Sequence, residues 1–147
     1  MTALIPRTRL SHGTIECADC LTSRRFYQDV LGLGSVRPLA EAQYLWSGGP
    51  WSLVCVAIGD EPRPQAVENR FCLRVETAAE VDTAREAALR LQPDHRIREI
   101  GPLTENSGVR SFVLHDLDGN WWEISNVSAA YYDEVFLRGD VAVPPLG

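Results

Sequence analysis

Residues 9 to 59 and 70 to 126 run through the same succession of hydrophobic patterns. A repeat on this scale means that each unit is one supersecondary module, which buries its apolar face only against a neighbour. In the first unit RLSHGTIEC predicts a strand, CLTSRRFYQDVLGL an amphipathic helix closed by Gly32, and SVRPL, QYLWS and WSLVCVAIG three short strands. In the second, RFCLRVE alternates strictly as a strand does, and TAAEVDTAREAALRLQ predicts a helix opened by a capping box, Thr77 three residues before Glu80. HRIREIG, RSFVLHD and NWWEISN follow as strands, with the loop GPLTENSG making this unit the longer one. Each module is therefore β-α-β-β-β. The fold class expected is α+β: two tandem modules forming a curved mixed sheet around a concave site, with helices on the outer face. One domain spans residues 1–147, with module one at about 9–60, module two at about 69–126 and a tail over 127–147. The polar stretch DEPRPQAVEN joins the modules as a linker.

Neighbouring residues on a strand point to opposite faces, so alternation assigns each side chain a side. Phe71, Leu73 and Val75 belong under the helix, which leaves Arg70, Cys72 and Arg74 on the concave side. On the opening strand Ile15 and Cys17 go under the helix, and His12, Thr14 and Glu16 face the site. In the last strand Trp122 and Ile124 point to the core, while Trp121, Glu123 and Ser125 join His12 and Arg70. Laying Gly49-Pro50-Trp51-Ser52-Leu53 over Gly119-Asn120-Trp121-Trp122-Glu123 pairs Trp51 with Trp121 and Leu53 with Glu123. A carboxylate between Trp122 and Ile124 calls for a partner, because an unpaired buried charge costs several kcal/mol (roughly).

The net charge of -6, with scattered arginines and no basic stripe, argues against nucleic acid as a partner and for a small molecule or another protein. No apolar run reaches the ~18 residues that span a bilayer, and MTALIPRTRL lacks the features of a signal peptide, so the expectation is a cytoplasmic protein without membrane contact. The four cysteines, Cys17, Cys20, Cys55 and Cys72, are too few for a disulfide framework, and CADC has no second C-x-x-C to complete a zinc or redox motif.

LSHGTIEC, FYQDVLGL, RFCLRVET and DLDGNWWEI, in that order over about residues 9 to 126, resemble the vicinal oxygen chelate superfamily of glyoxalases, drug-resistance proteins and extradiol dioxygenases. The last motif is the most specific: such proteins often carry an Asp-Pro-Asp-Gly-Asn turn before a metal-binding Glu, and here Leu117 replaces the proline. The resemblance implies that His12, Leu53, Arg70 and Glu123 occupy the positions where ligands of one divalent metal converge. His12 and Glu123 suit iron, manganese, nickel or zinc. Leu53 is a tolerable absence, whereas a guanidinium at position 70 repels a cation. The resemblance also implies a homodimer.

Three roles for Glu123 stay open at this point. It is a metal ligand with His12 and a third group such as His115, or it pairs with Arg70 beside His12 in a metal-free site, or the pair merely ties the modules together. His12, Arg70 and Glu123 are the candidate catalytic residues. Trp51, Trp121, Arg70 and His115 are the candidate substrate contacts, with core filling as the plain alternative for the tryptophans and bracing of the turn for His115. Glu16 and Arg74 are expected to pair across the modules, His95 to be solvated, and Tyr132, Val135 and Phe136 to form one face of a short helix that covers the sheet or contacts a second copy. The implied function is a small-molecule enzyme similar to glyoxalases and single-domain dioxygenases, acting on an oxygen-rich or aromatic substrate. The alternative is a non-catalytic binding protein of the drug-resistance kind.

Overall fold

The computed structural model describes residues 9–141. The leader reading of MTALIPRTRL falls mostly on residues before these, and the last residues of the tail fall after them. Module one comprises β1 (His12–Cys17), α1 (Cys20–Asp29), β2 (Gly34–Leu39), β3 (Ala42–Trp46) and β4 (Ser52–Ala57). Module two comprises β5 (Arg70–Arg74), α2 (Ala78–His95), β6 (Glu99–Ile100), β7 (Thr104–Asn106), β8 (Val109–His115) and β9 (Trp121–Ser125), and α3 (Tyr131–Arg138) follows. The curved surface consists of two mixed sheets, in the orders β1-β4-β3-β2 and β5-β9-β8-β6, with β7 paired to β8. The outer strands of the first sheet and of the second run parallel at β1–β4 and β5–β9, and the remaining pairs are antiparallel.

Local chemistry accounts for most boundaries. Asp19 caps α1 by accepting from the Thr22 amide at 2.8 Å, and these bonds hold its carboxyl below the usual carboxylate range. Thr77 and Glu80 form the expected capping box on α2. That helix runs on through Pro93 to His95 and stops where Arg96 turns left-handed at φ 51°, so the strand expected from residue 95 shrinks to Glu99–Ile100. The loop expected at GPLTENSG contains the extra strand β7. Ser107 and Gly108, at φ 51° and 80°, close a tight hairpin between the paired residues Asn106 and Val109. β2 tolerates Pro38 because it is an edge strand and its register breaks between Val36 and Leu39.

One core serves both modules. Ile15, Cys17, Phe26 and Tyr27 of the first share a buried cluster with Val81, Phe112, Trp122 and Ile124 of the second. Tyr27 meets Trp122 edge-on at 5.8 Å. Full burial of a phenylalanine such as Phe26 or Phe112 is worth about 1.5–3 kcal/mol. His95, expected in solvent, is buried at the end of α2 and lies 3.5 Å from Asp29 of α1. None of the residues of α3 is buried, so this helix does not cover the sheet. Among the described residues no helix is long and apolar enough to cross a membrane.

The turn between β8 and β9 locks the modules together. Asp116 is fully buried and its Oδ1 accepts from the amides of Asp118 and Asn120, both at 2.9 Å, while Oδ2 accepts from Trp122 Nε1 at 2.9 Å. Asp118 reaches into module one, accepting from the Ala18 amide at 2.9 Å and from the Ser23 hydroxyl. Asn120 Nδ2 donates to the Glu16 carbonyl at 3.0 Å. Burial pushes the carboxyl of Asp116 up to about 6 and that of Asp118 upward.

Candidate functional site

Strand register decides which residues share the concave face. Arg70 pairs with Trp121, Cys72 with Glu123 and Arg74 with Ser125, while β8 sets His115 beside Trp121 and Val113 beside Glu123. Directly paired residues point to the same side. Arg70, Cys72, Glu123, Trp121 and His115 therefore share one face, as alternation predicts.

At its centre Arg70 Nε donates to Glu123 Oε2 at 2.6 Å, and Nη1 donates to the Val67 carbonyl at 3.2 Å. The pair is half-exposed, with side-chain exposures of 39% for Arg70 and 20% for Glu123. This bond, foremost, raises the guanidinium above its ordinary value. The Cys72 thiol beside Glu123 is pushed up to about 11, by desolvation first and then by the carboxylate, which keeps it protonated at neutral pH.

The tryptophan pair expected to sandwich a ligand does not form. Trp51 lies against Phe71, with centroids 6.5 Å apart, and packs on the core cluster on the opposite face from Trp121. Trp121 is buried on the concave face: His115 stacks on it at 4.3 Å with the rings 6° from parallel, and its Nε1 donates to the Gln65 carbonyl at 2.9 Å. His115 Nε2 is buried without a hydrogen-bond partner among the described residues.

The Leu53 assignment also shifts. Thr14 pairs with Val54 as Cys72 pairs with Glu123, so Val54 is the module-one counterpart of Glu123 and Leu53 is a buried core residue. The expected Glu16–Arg74 bridge is replaced by a local one, Arg74 Nη2 to Glu76 Oε1 at 2.7 Å.

His12 sits on the exposed face of β1, its Nδ1 3.2 Å from Ser11 Oγ. The opening strands belong to different sheets and approach each other at one point, where a Cβ at Gly13 would come 3.6 Å from the ring of Phe71. His12 and Arg70 each precede one member of that contact. The structure joins Arg70 to Glu123 and leaves His12 hydrogen-bonded to its own neighbour.

Two contributors escape a sequence reading. The linker is a strap over the site: Gln65 donates its amide to the Gly119 carbonyl at 2.8 Å, and Val67 and Gln65 supply the carbonyls that hold Arg70 and Trp121. Gly119, at φ 86°, makes room for it, because a Cβ there would lie 2.8 Å from Pro64 Cα. A cavity of about 550 Å³ lies between this strap and β1, bordered by Thr14, Glu16, Glu68 and Arg70. The second contributor is an aromatic surface on the exposed side of β3, where Tyr44 and Trp46 are 42% and 57% exposed. Alternation in QYLWS carries that signal once β3 is known to pair with β4.

No family model matches the chain, and no curated protein matches it. Solved structures do. A lactoylglutathione lyase from Agrobacterium tumefaciens aligns over 82% of this chain and 95% of its own, with 21% identity and TM-score 0.60. The genomically encoded fosfomycin resistance protein FosX from Listeria monocytogenes, complexed with Mn(II) and sulfate, aligns over 84% of this chain and 94% of its own, with 16% identity and TM-score 0.68. An integron cassette protein from the mobile metagenome of V. cholerae aligns over 86% of this chain and all of its own (100%), with 26% identity and TM-score 0.59. The architecture is thus the open, two-module α+β arrangement of the glyoxalase type. Its fold is that of the vicinal oxygen chelate superfamily.

Such a fold raises the question of a divalent metal, and the Mn(II) belongs to the FosX structure. In this chain Glu123 is engaged by Arg70, and among the described residues no group of three or more His, Cys, Asp or Glu is placed to hold a metal ion. The donors present do not fit a resident divalent ion, because an always-charged guanidinium stands where a further neutral or anionic donor is needed.

Proposed function

We propose that the chain is a small-molecule enzyme similar to glyoxalases and single-domain extradiol dioxygenases, working as a homodimer on an oxygen-rich or aromatic substrate at the concave face of module two. The observation that carries this reading is the Arg70–Glu123 bond. Glu123 holds Nε and the Val67 carbonyl holds Nη1, which aims the guanidinium while Nη2 stays available for an anionic substrate oxygen. Glu123 is then a positioning residue. His12, which precedes Gly13 where the opening strands approach, is the acid or base, since an imidazole nitrogen can either donate or accept a proton. The donor set fits no metal, so the chemistry assigned to these side chains is proton transfer, and the likeness to dioxygenases is one of architecture and not of oxygen activation. Support for the homodimer comes from α3, where Phe136 and Leu137 are 84% and 88% exposed.

The second reading, a binding protein without turnover, draws on Tyr44 and Trp46, whose exposed rings offer a flat ligand stacking without acid–base groups. Titrating tryptophan fluorescence with 3,4-dihydroxybenzoate, followed by chromatography for product, tests both. Loss of a charge-assisted hydrogen bond in Arg70→Gln should weaken binding about tenfold or more. Equal affinity for wild type and variant overturns the assignment of Arg70, and tight binding with no product across pH 5 to 9 favours the binding protein.

A further inference from the structure

The charges around the cavity between the strap and β1 restrict what Arg70 can hold. On β1 Ile15 and Cys17 are buried in the core, so Thr14 and Glu16 between and beside them face the concave side, as Arg70 does on β5. All three border the space of about 550 Å³, and Glu68 of the strap adds a second carboxylate. Glu16, Glu68 and Arg70 are the charged residues of that border. The charge of Arg70 is already offset by Glu123 at 2.6 Å, whereas neither Glu16 nor Glu68 has an ion-pair partner among the described residues. The field in the cavity is therefore negative, and a cleft lined by one sign of charge concentrates ligands of the other. A simple anion approaching Nη2 of Arg70 enters against two carboxylates. An anion that carries its own cation does not.

We propose that the ligand of this site is a zwitterion, an amino acid or a similar aminated acid, with its carboxylate on Arg70 Nη2 and its ammonium between Glu16 and Glu68. The proposal rests on the reading of Arg70 as the anion anchor and narrows the substrate class of that site. An ammonium has three N–H donors and no acceptor. Glu16, Glu68 and the Thr14 hydroxyl, which makes no hydrogen bond among the described residues, offer three acceptors on one border. Both carboxylates stand on held backbone. Asn120 Nδ2 donates to the Glu16 carbonyl at 3.0 Å, and Glu68 follows Val67, whose carbonyl accepts from Arg70. Groups fixed before the ligand arrives lower the ordering cost of binding. The volume lies within the ~300–1,000 Å³ of small-molecule pockets.

The test uses the full chain and three ligands with one aromatic body: L-phenylalanine, 3-phenylpropanoate, which lacks the ammonium, and phenethylamine, which lacks the carboxylate. By isothermal calorimetry L-phenylalanine should bind about fivefold or more tightly than 3-phenylpropanoate, since an exposed charge contact is worth ~1 kcal/mol and ~1.4 kcal/mol is tenfold. Glu16→Gln and Glu68→Gln combined in one chain should abolish that preference and weaken phenethylamine, without weakening 3-phenylpropanoate. Arg70→Gln should weaken both carboxylates about tenfold and leave phenethylamine bound. Both glutamates are exposed, so the double variant should keep its circular dichroism spectrum. Should it misfold, the ligand series on wild type decides alone. No preference for L-phenylalanine, or a preference that survives the double variant, would overturn the zwitterion, and the role of Arg70 would stand as long as Arg70→Gln still weakens 3-phenylpropanoate. Equal affinity of 3-phenylpropanoate for wild type and Arg70→Gln would overturn the anion anchor, and the zwitterion with it.

Discussion

Changing Glu123 to Gln separates a working carboxylate from a structural one. The substitution keeps the shape and one carbonyl oxygen for Arg70 Nε, and it removes the charge. For a fully buried pair, stranding the arginine would cost about 3–5 kcal/mol. The geometry here is different. Arg70 keeps the Val67 carbonyl through Nη1, and with 39% of its side chain exposed it regains water. A partly exposed pair contributes about 0–1 kcal/mol, and in a domain of this size 1 kcal/mol moves the melting temperature by about 2–4 °C. Glu123→Gln should therefore melt within about 4 °C of wild type by circular dichroism. Its affinity for 3,4-dihydroxybenzoate should nevertheless fall, because a guanidinium released from a charged partner no longer holds one orientation. A fall of about 10 °C or more with unchanged affinity would refute this: Glu123 would then be a structural tie between β5 and β9.

Two further outcomes follow from the same structure. The Asp116 carboxyl sits at about 6 in the fold against an ordinary 3.8, so the folded chain holds this proton more tightly than the unfolded one. Its contribution to stability is then most favourable below about pH 4 and declines as pH rises to about 6, by on the order of 3 kcal/mol at ~1.4 kcal/mol per pH unit. Urea midpoints of Asp116→Asn should lack that decline, and parallel pH profiles for the two proteins would refute it. Replacing Arg70 by His removes the repelling charge and sets a second imidazole beside Glu123, so calorimetry should detect stronger Mn(II) binding than in wild type; unchanged binding would mean that His12 does not converge on the pair.

How much of this was legible depends on the range of the physics. Alternation and capping act over a few residues. They suffice to place Arg70, Cys72 and Glu123 on one face and to open α2 at Thr77. The repeat likewise predicts two modules of one kind, because each sequence unit is incomplete without a neighbour. Register is a different matter: aligning the modules by their tryptophans puts Leu53 opposite Glu123, whereas backbone pairing with β1 gives that place to Val54. A slip of one residue reverses every side chain. It sends Trp51 into the core and leaves the aromatic surface to Tyr44 and Trp46.

Contacts between groups far apart in the chain leave no local trace. Nothing near Asp118 indicates that it will find Ser23, and nothing in DEPRPQAVEN shows that its carbonyls will hold Arg70 and Trp121. The sequence by itself determined the modules, their faces and the residues available for chemistry, since those follow from patterns within single elements. Only the tertiary structure decided that Glu123 meets Arg70, because which donor satisfies a carboxylate depends on how strands 53 residues apart come together.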